Sequence, residues 1–187
     1  VYGYTCGWSR RVSVSVETAI GFVVSHDNGV TFERVGNGPI LSASLKEPFL
    51  VGDGFVVQIN NVFHMWYIYG TCWKRYESNV PADRTYKIGH ATSKNGIDWI
   101  KEEGRQIIAD LIGPDESQAL PSVIYRDGRA HMVFCYRQSF DFRNTRGRGY
   151  KIGYAWSDDL INWTRDDRAL PLDGDCGEWD SDMQCYP

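Results

Sequence analysis

Ile20-Gly-Phe-Val-Val-Ser-His-Asp-Asn-Gly-Val-Thr-Phe32, Lys87-Ile-Gly-His-Ala-Thr-Ser-Lys-Asn-Gly-Ile-Asp-Trp99 and Lys151-Ile-Gly-Tyr-Ala-Trp-Ser-Asp-Asp-Leu-Ile-Asn-Trp163 are three versions of one segment. Their glycines, Gly21, Gly89 and Gly153, stand 68 and then 64 residues apart. Each version reads as an alternating strand, a tight turn of Asp/Asn/Gly chemistry, and an aromatic that opens the next strand. Ser25, Ser93 and Ser157 precede the turns. A side chain that bonds the turn backbone explains them better than catalysis does.

A second unit recurs between these hairpins. Phe55-Val-Val-Gln-Ile-Asn-Asn-Val-Phe-His-Met-Trp-Tyr-Ile-Tyr69 reads as strand, Asn-Asn turn, strand. Ser122-Val-Ile-Tyr-Arg-Asp-Gly-Arg-Ala-His-Met-Val-Phe-Cys-Tyr136 repeats it with an Asp-Gly turn, and His64 aligns with His131. Two hairpins per period make a four-stranded antiparallel sheet, the content of one propeller blade. The prediction is an all-β chain of β-propeller blades in one domain over residues 1–187, with repeats near 1–50, 51–115 and 116–180. About two and a half to three blades fit, whereas a closed propeller has about four to eight. The expectation is therefore a partial chain, or a ring completed by a second copy pairing with open sheet edges.

Composition agrees with an all-β reading and excludes several function classes. Aromatic residues make up 14% of the chain, seven of them Trp, and such residues favour pleated, half-buried surfaces. The net charge of −4 gives no long-range pull on nucleic acid or anionic membranes, and neither partner is expected. No apolar run reaches membrane-spanning length. The five cysteines, Cys6, Cys72, Cys135, Cys176 and Cys185, form no CxxC. Free thiols and a bacterial cytoplasmic location are the expectation, with a Cys176–Cys185 pair and secretion left open. No phosphate-binding glycine loop, HExxH, GxSxG or zinc spacing occurs, so no cofactor or metal is expected. The twin histidines read as a recurring structural feature.

Propellers bind ligands on the central axis, along the innermost strand of each blade. Aligning those strands puts Gly54, Pro121 and Pro187 in register. Asp53 immediately precedes its Gly54, while Glu116 and Asp182 each stand five residues before the aligned proline. One carboxylate per blade converging on an axis suits glycoside hydrolysis, which needs a proton donor and a second carboxylate that activates water or attacks carbon. Turn capping is the competing role for each, and Asp115, Glu178 and Asp180 lie close enough to exchange places with them. Arg10, Arg11 and Arg137 follow strand ends and could hold an anionic sugar or a phosphate. Trp73 and Trp179 are candidate platforms for a sugar ring.

Gly7-Trp-Ser-Arg-Arg-Val-Ser13, Ala19-Ile-Gly-Phe22, Tyr150-Lys-Ile-Gly-Tyr-Ala-Trp-Ser-Asp158 and Trp179-Asp-Ser-Asp-Met-Gln-Cys-Tyr-Pro187 carry a family resemblance. They resemble the five-bladed propeller superfamily of arabinanases, β-xylosidases, invertases and levansucrases (glycoside hydrolase families 43, 32 and 68). Within it they look closest to an uncharacterised bacterial branch. The resemblance spans essentially the whole chain. It implies a glycosidase, or a related glycan phosphorylase or transferase, with a blade-one Asp as base or nucleophile, a second-blade Asp that tunes, and a third-blade Glu as acid. By position Glu116 is the candidate acid. The pattern departs at Gly54, where the family usually has Pro, and the relatives carry a complete blade ahead of the segment that begins at Val1. The competing readings are a carbohydrate-binding propeller without catalysis and an assembly module that oligomerises through open blades.

Overall fold

In a computed structural model the residues described are 1–77, 81–170 and 181–187. Three antiparallel sheets follow one another along the chain. The first holds β1 (Tyr2–Ser9), β2 (Glu17–Val24) and β3 (Glu33–Arg34). The second runs β4 (Val51–Ile59), β5 (Val62–Lys74), β6 (Asp83–Ser93) and β7 (Ile100–Lys101) in spatial order. The third repeats it with β8 (Glu116–Arg126), β9 (Arg129–Gln138), β10 (Lys151–Ser157) and β11 (Thr164–Arg165). A 3₁₀ turn, Asp167–Ala169, follows. Three blades are thus laid out in sequence order, and the all-β expectation holds.

Turn chemistry sets the hairpins. Asn60 and Asn61 (φ 50° and 63°) join β4 to β5, and Asp127 and Gly128 (φ 52° and 82°) join β8 to β9. Positive φ at both turn residues matches the right-handed twist of the flanking strands. Ser25, Ser93 and Ser157 are buried and bond their turns. Ser25 Oγ accepts from the Gly29 amide at 2.7 Å, Ser93 Oγ from Gly96 at 2.9 Å, and Ser157 Oγ from Asp159 at 3.3 Å.

The recurring glycine makes room for a ring. Gly89 lies opposite Tyr67, and Gly153 opposite Phe134. A Cβ at Gly153 would come within 2.5 Å of the Phe134 ring. In the first blade Gly21 lies opposite Thr5 instead. The same register aligns Met65, Tyr67 and Tyr69 of β5 with Met132, Phe134 and Tyr136 of β9, and with Gly3, Thr5 and Gly7 of β1. The second blade presses its Met-Tyr-Tyr row onto Ile20 and Leu41 of the first. The third presses Met-Phe-Tyr onto Trp66, Ile68 and Ile88 of the second. The core therefore sits between blades, each later blade supplying aromatic bulk to the earlier one. The outer face of the first blade carries only small side chains at those three places.

Candidate functional site on the blade axis

The inner strands β4 and β8 each break register at the same place. Bulges fall between Gly52 and Phe55 and between Ala119 and Ser122. Inside them Asp53 (φ 49°) and Leu120 (φ 52°) are left-handed, and so is Tyr186 (φ 64°) near the C-terminus. Each is the residue just before the aligned Gly54, Pro121 or Pro187. Non-glycine residues in this region are sterically disfavoured, and they persist where surrounding structure fixes them. All three line an axial cavity of about 200 Å³. They also line an adjoining cavity with Gly54, Pro121 and Pro187.

A second ring of residues belongs to the middle strands. Thr18, Tyr86 and Tyr150 each stand three residues before the repeat glycine, and all three line the axial cavity. One hydroxyl-bearing residue per blade therefore lines the axis, the Thr18 hydroxyl donating to the Val51 carbonyl at 2.8 Å, at a column the sequence reading did not single out. The spacing to Gly21, Gly89 and Gly153 was the signal that could have found it. Trp8, also not singled out as a site residue, stands at the cavity with 65% of its surface exposed. Arg84 completes the polar lining, its guanidinium 5.6 Å from the Trp73 ring.

The candidate carboxylates separate. Asp53 lines the cavity, where its carboxylate accepts the Leu120 amide N–H. Burial pushes its pKa up, with Arg84 and that amide pulling the other way. Glu116 is fully buried, and its oxygens are occupied. Oε1 accepts from Arg165 Nη1 at 2.6 Å and from Gln118 Nε2 at 2.9 Å. Oε2 accepts from the Leu111 and Ile112 amides at 2.8 and 3.0 Å. A carboxylate held by four donors has no lone pair directed at a ligand. Asp182 is exposed, and its backbone packs against Gly149. The residues lining the two axial cavities include Asp53 but neither Glu116 nor Asp182. Neither of these two cavities assembles the expected cluster of three carboxylates.

The cationic candidates also divide. Arg10 is exposed beyond β1, and Arg11 pairs with Glu17 on the open face of the first blade. Arg137 is 2% exposed. Its Nη2 donates to Tyr86 Oη at 2.9 Å, and Tyr86 and Tyr150 share a 2.5 Å hydroxyl–hydroxyl bond. Trp73 is half-buried against the core between the second and third blades. Trp179 lies outside the described residues. Burial raises the Cys6 thiol and pushes Cys135 up to about 12, so neither is a ready thiolate at neutral pH. Among the described residues no group of three or more His, Cys, Asp or Glu could hold a metal ion, and no helix is long and apolar enough to cross a membrane.

No protein-family model matches the chain. An uncharacterised protein of Mycobacterium tuberculosis, found in two strains, is 30% identical over 185 residues, which is 98% of this chain and 56% of the relative. The chain thus spans about half the length of the curated relatives it matches. Among solved structures, a glycoside hydrolase superimposes with a TM-score of 0.67 at 18% identity, covering 91% of this chain and 49% of its own. The Bombyx mori family 32 β-fructofuranosidase gives 0.62 at 14% identity, over 88% and 32%. An α-L-arabinanase from Penicillium chrysogenum gives 0.51 at 17% identity, over 87% and 44%. The chain therefore has the β-propeller fold of glycoside hydrolases, built here as three successive blades.

Proposed function

We propose that the chain provides the axial carbohydrate site of a glycoside-hydrolase-like propeller, with Asp53 as its acid–base group. The observation that carries this reading is the composition of the axial lining. It combines one carboxyl whose pKa burial raises, hydroxyls from all three blades, and an exposed indole at the cavity. Hydroxyl and guanidinium donors match sugar hydroxyls, and an indole face matches the apolar face of a pyranose. A raised carboxyl is what proton transfer to a glycosidic oxygen requires. Two structural neighbours lend support: BT0996, solved in a complex with RGII, and the Penicillium arabinanase with arabinobiose.

A second reading, sugar binding without cleavage, is favoured by the state of Glu116. Hydrolysis takes a pair of carboxyl groups about 5–5.5 Å or about 6.5–9.5 Å apart, and the Arg165 pair occupies Glu116. Aryl-glycoside turnover and sugar binding, measured together on the chain and on Asp53→Asn, separate the two. Turnover abolished in Asp53→Asn with binding retained supports an enzyme. Binding without turnover in either protein supports a lectin-like site, and absence of both refutes the carbohydrate reading. Among the described residues β1 pairs only with β2, and we propose that its other edge is where a second copy would add a strand. A monomeric mass in light scattering would refute that part.

A further inference from the structure

We propose that the axial cavity selects sugars bearing an oxyanion, a carboxylate or a phosphate, with Arg84 as the direct partner and Arg137 acting through Tyr86 and Tyr150. The proposal rests on the reading that this cavity holds carbohydrate. Its basis is the imbalance of charge around the axis. Among the described residues Arg84, which lines the cavity, makes one side-chain hydrogen bond, to Ser15 Oγ at 3.3 Å, with its guanidinium 5.6 Å from the Trp73 ring. Arg137 donates from Nη1 to the carbonyls of Gln138 and Ser139 at 2.7 and 2.9 Å and from Nη2 to Tyr86 Oη, and its buried Nε has no partner. Neither guanidinium forms an ion pair among the described residues.

A buried cation without a carboxylate is costly. Ring faces offset part of that cost, with the Arg137 guanidinium 3.8 Å from the Phe142 centroid and 5.2 and 5.3 Å from those of Tyr150 and Tyr86. The nearby acids offset this charge only in part, Asp53 acting on Arg84 and Asp83 on Arg137 without an ion pair to either. Burial pushes the Asp53 pKa up against the pull of Arg84. Asp83 accepts the Arg84 backbone amide at 3.1 Å and lines a separate surface pocket with Asp141. Glu17 is paired with Arg11.

Either phenol can be the donor in the Tyr86–Tyr150 bond. Arginine only donates, so Tyr86 Oη accepts from Arg137. A Tyr86 proton given to Tyr150 leaves the Tyr150 proton for a ligand in the cavity. The guanidinium polarises both phenols, so the donor that meets the ligand suits an anion better than a neutral hydroxyl. In this arrangement Arg137 is a positioning residue, and Tyr150 and Arg84 make the contact.

Calorimetric titration with galacturonate, galactose 6-phosphate, galactose and inorganic phosphate tests the proposal on the chain, Arg84→Gln and Tyr150→Phe, with near-UV circular dichroism as the folding control. The expected result is an anionic sugar bound at least about tenfold tighter than galactose. That preference should shrink with added salt and vanish in Arg84→Gln. It should also weaken in Tyr150→Phe, whose dichroism stays native. Tighter binding of galacturonate identifies a carboxylate ligand, and tighter binding of the phosphate ester a phosphate ligand. Galactose bound as tightly as both would overturn the proposal and leave the carbohydrate reading standing. Failure of every sugar would remove both. Inorganic phosphate bound as tightly as galactose 6-phosphate would overturn selection of a sugar.

Discussion

Replacing Glu116 with Gln separates a structural carboxylate from a catalytic one. In the native chain the Glu116 carboxylate faces Arg165 Nη1 at 2.6 Å, with both side chains nearly excluded from water. Gln keeps the shape but offers one acceptor oxygen and a donor amide. Either Arg165 or the Leu111 and Ile112 amides then lose the Glu116 oxygen, and Arg165 is left with Asp167, 2.9 Å from its Nη2, as its remaining carboxylate. Breaking one side of a buried pair costs about 3–5 kcal/mol. The retained oxygen puts Glu116→Gln near the lower end, about 3 kcal/mol. For a chain of this size each kcal/mol lowers the melting temperature by about 2–4 °C, so a drop of about 6–12 °C is expected. Thermal melts followed by tryptophan fluorescence measure it. A melting temperature within about 1 °C of the parent would refute the reasoning. Lost turnover at unchanged stability would return Glu116 to the chemistry.

The two glycine environments predict opposite costs. Gly153→Ala drives a methyl into the buried Phe134 ring and should destabilise by about 1–3 kcal/mol, whereas Gly7→Ala, whose nearest neighbour is a carbonyl at 3.6 Å, should be close to neutral in the same urea titration. Acid should weaken the second blade at its histidine pair. His64 Nδ1 and His90 Nε2 are 3.0 Å apart, and His90 Nδ1 reaches Glu102 at 2.9 Å. Burial lowers both histidine pKa values from 6.5. Their contribution to stability is therefore present above about pH 6.5 and lost as pH falls through the folded values. His90→Gln should flatten that part of the stability–pH curve, and an unchanged slope would count against the pair.

The fold was legible because blades repeat. One glycine per period, with turn chemistry at a fixed distance, is a local signal that needs no tertiary information. The left-handed axial residues were half legible. Aligning Gly54, Pro121 and Pro187 found their register, but nothing in Leu120 or Tyr186 announces positive φ. Chemistry was harder to read. Glu116 looked available because its partner, Arg165, is 49 residues away on the outermost strand of its own blade. Sequence cannot show such a pairing. The axial hydroxyls were missed for another reason. Thr18, Tyr86 and Tyr150 read singly as ordinary strand residues, and only their shared offset from the repeat glycine groups them.

The left-handed triplet makes the axis a socket whose backbone is independent of what is mounted in it. Asp53, Leu120 and Tyr186 are acid, aliphatic and aromatic, yet they hold φ within 49–64°. At Asp53 and Leu120 a bulge in a paired inner strand sets that shape whatever the side chain. Leu is poorly suited to this region and Asp is better suited, so Leu120→Asp could relieve backbone strain while adding a carboxyl beside Asp53. Two acids so close could not both ionise easily, and one would be forced to hold its proton. A single substitution on an unchanged backbone would then give the axis the unequal pair of carboxyls that its described residues lack.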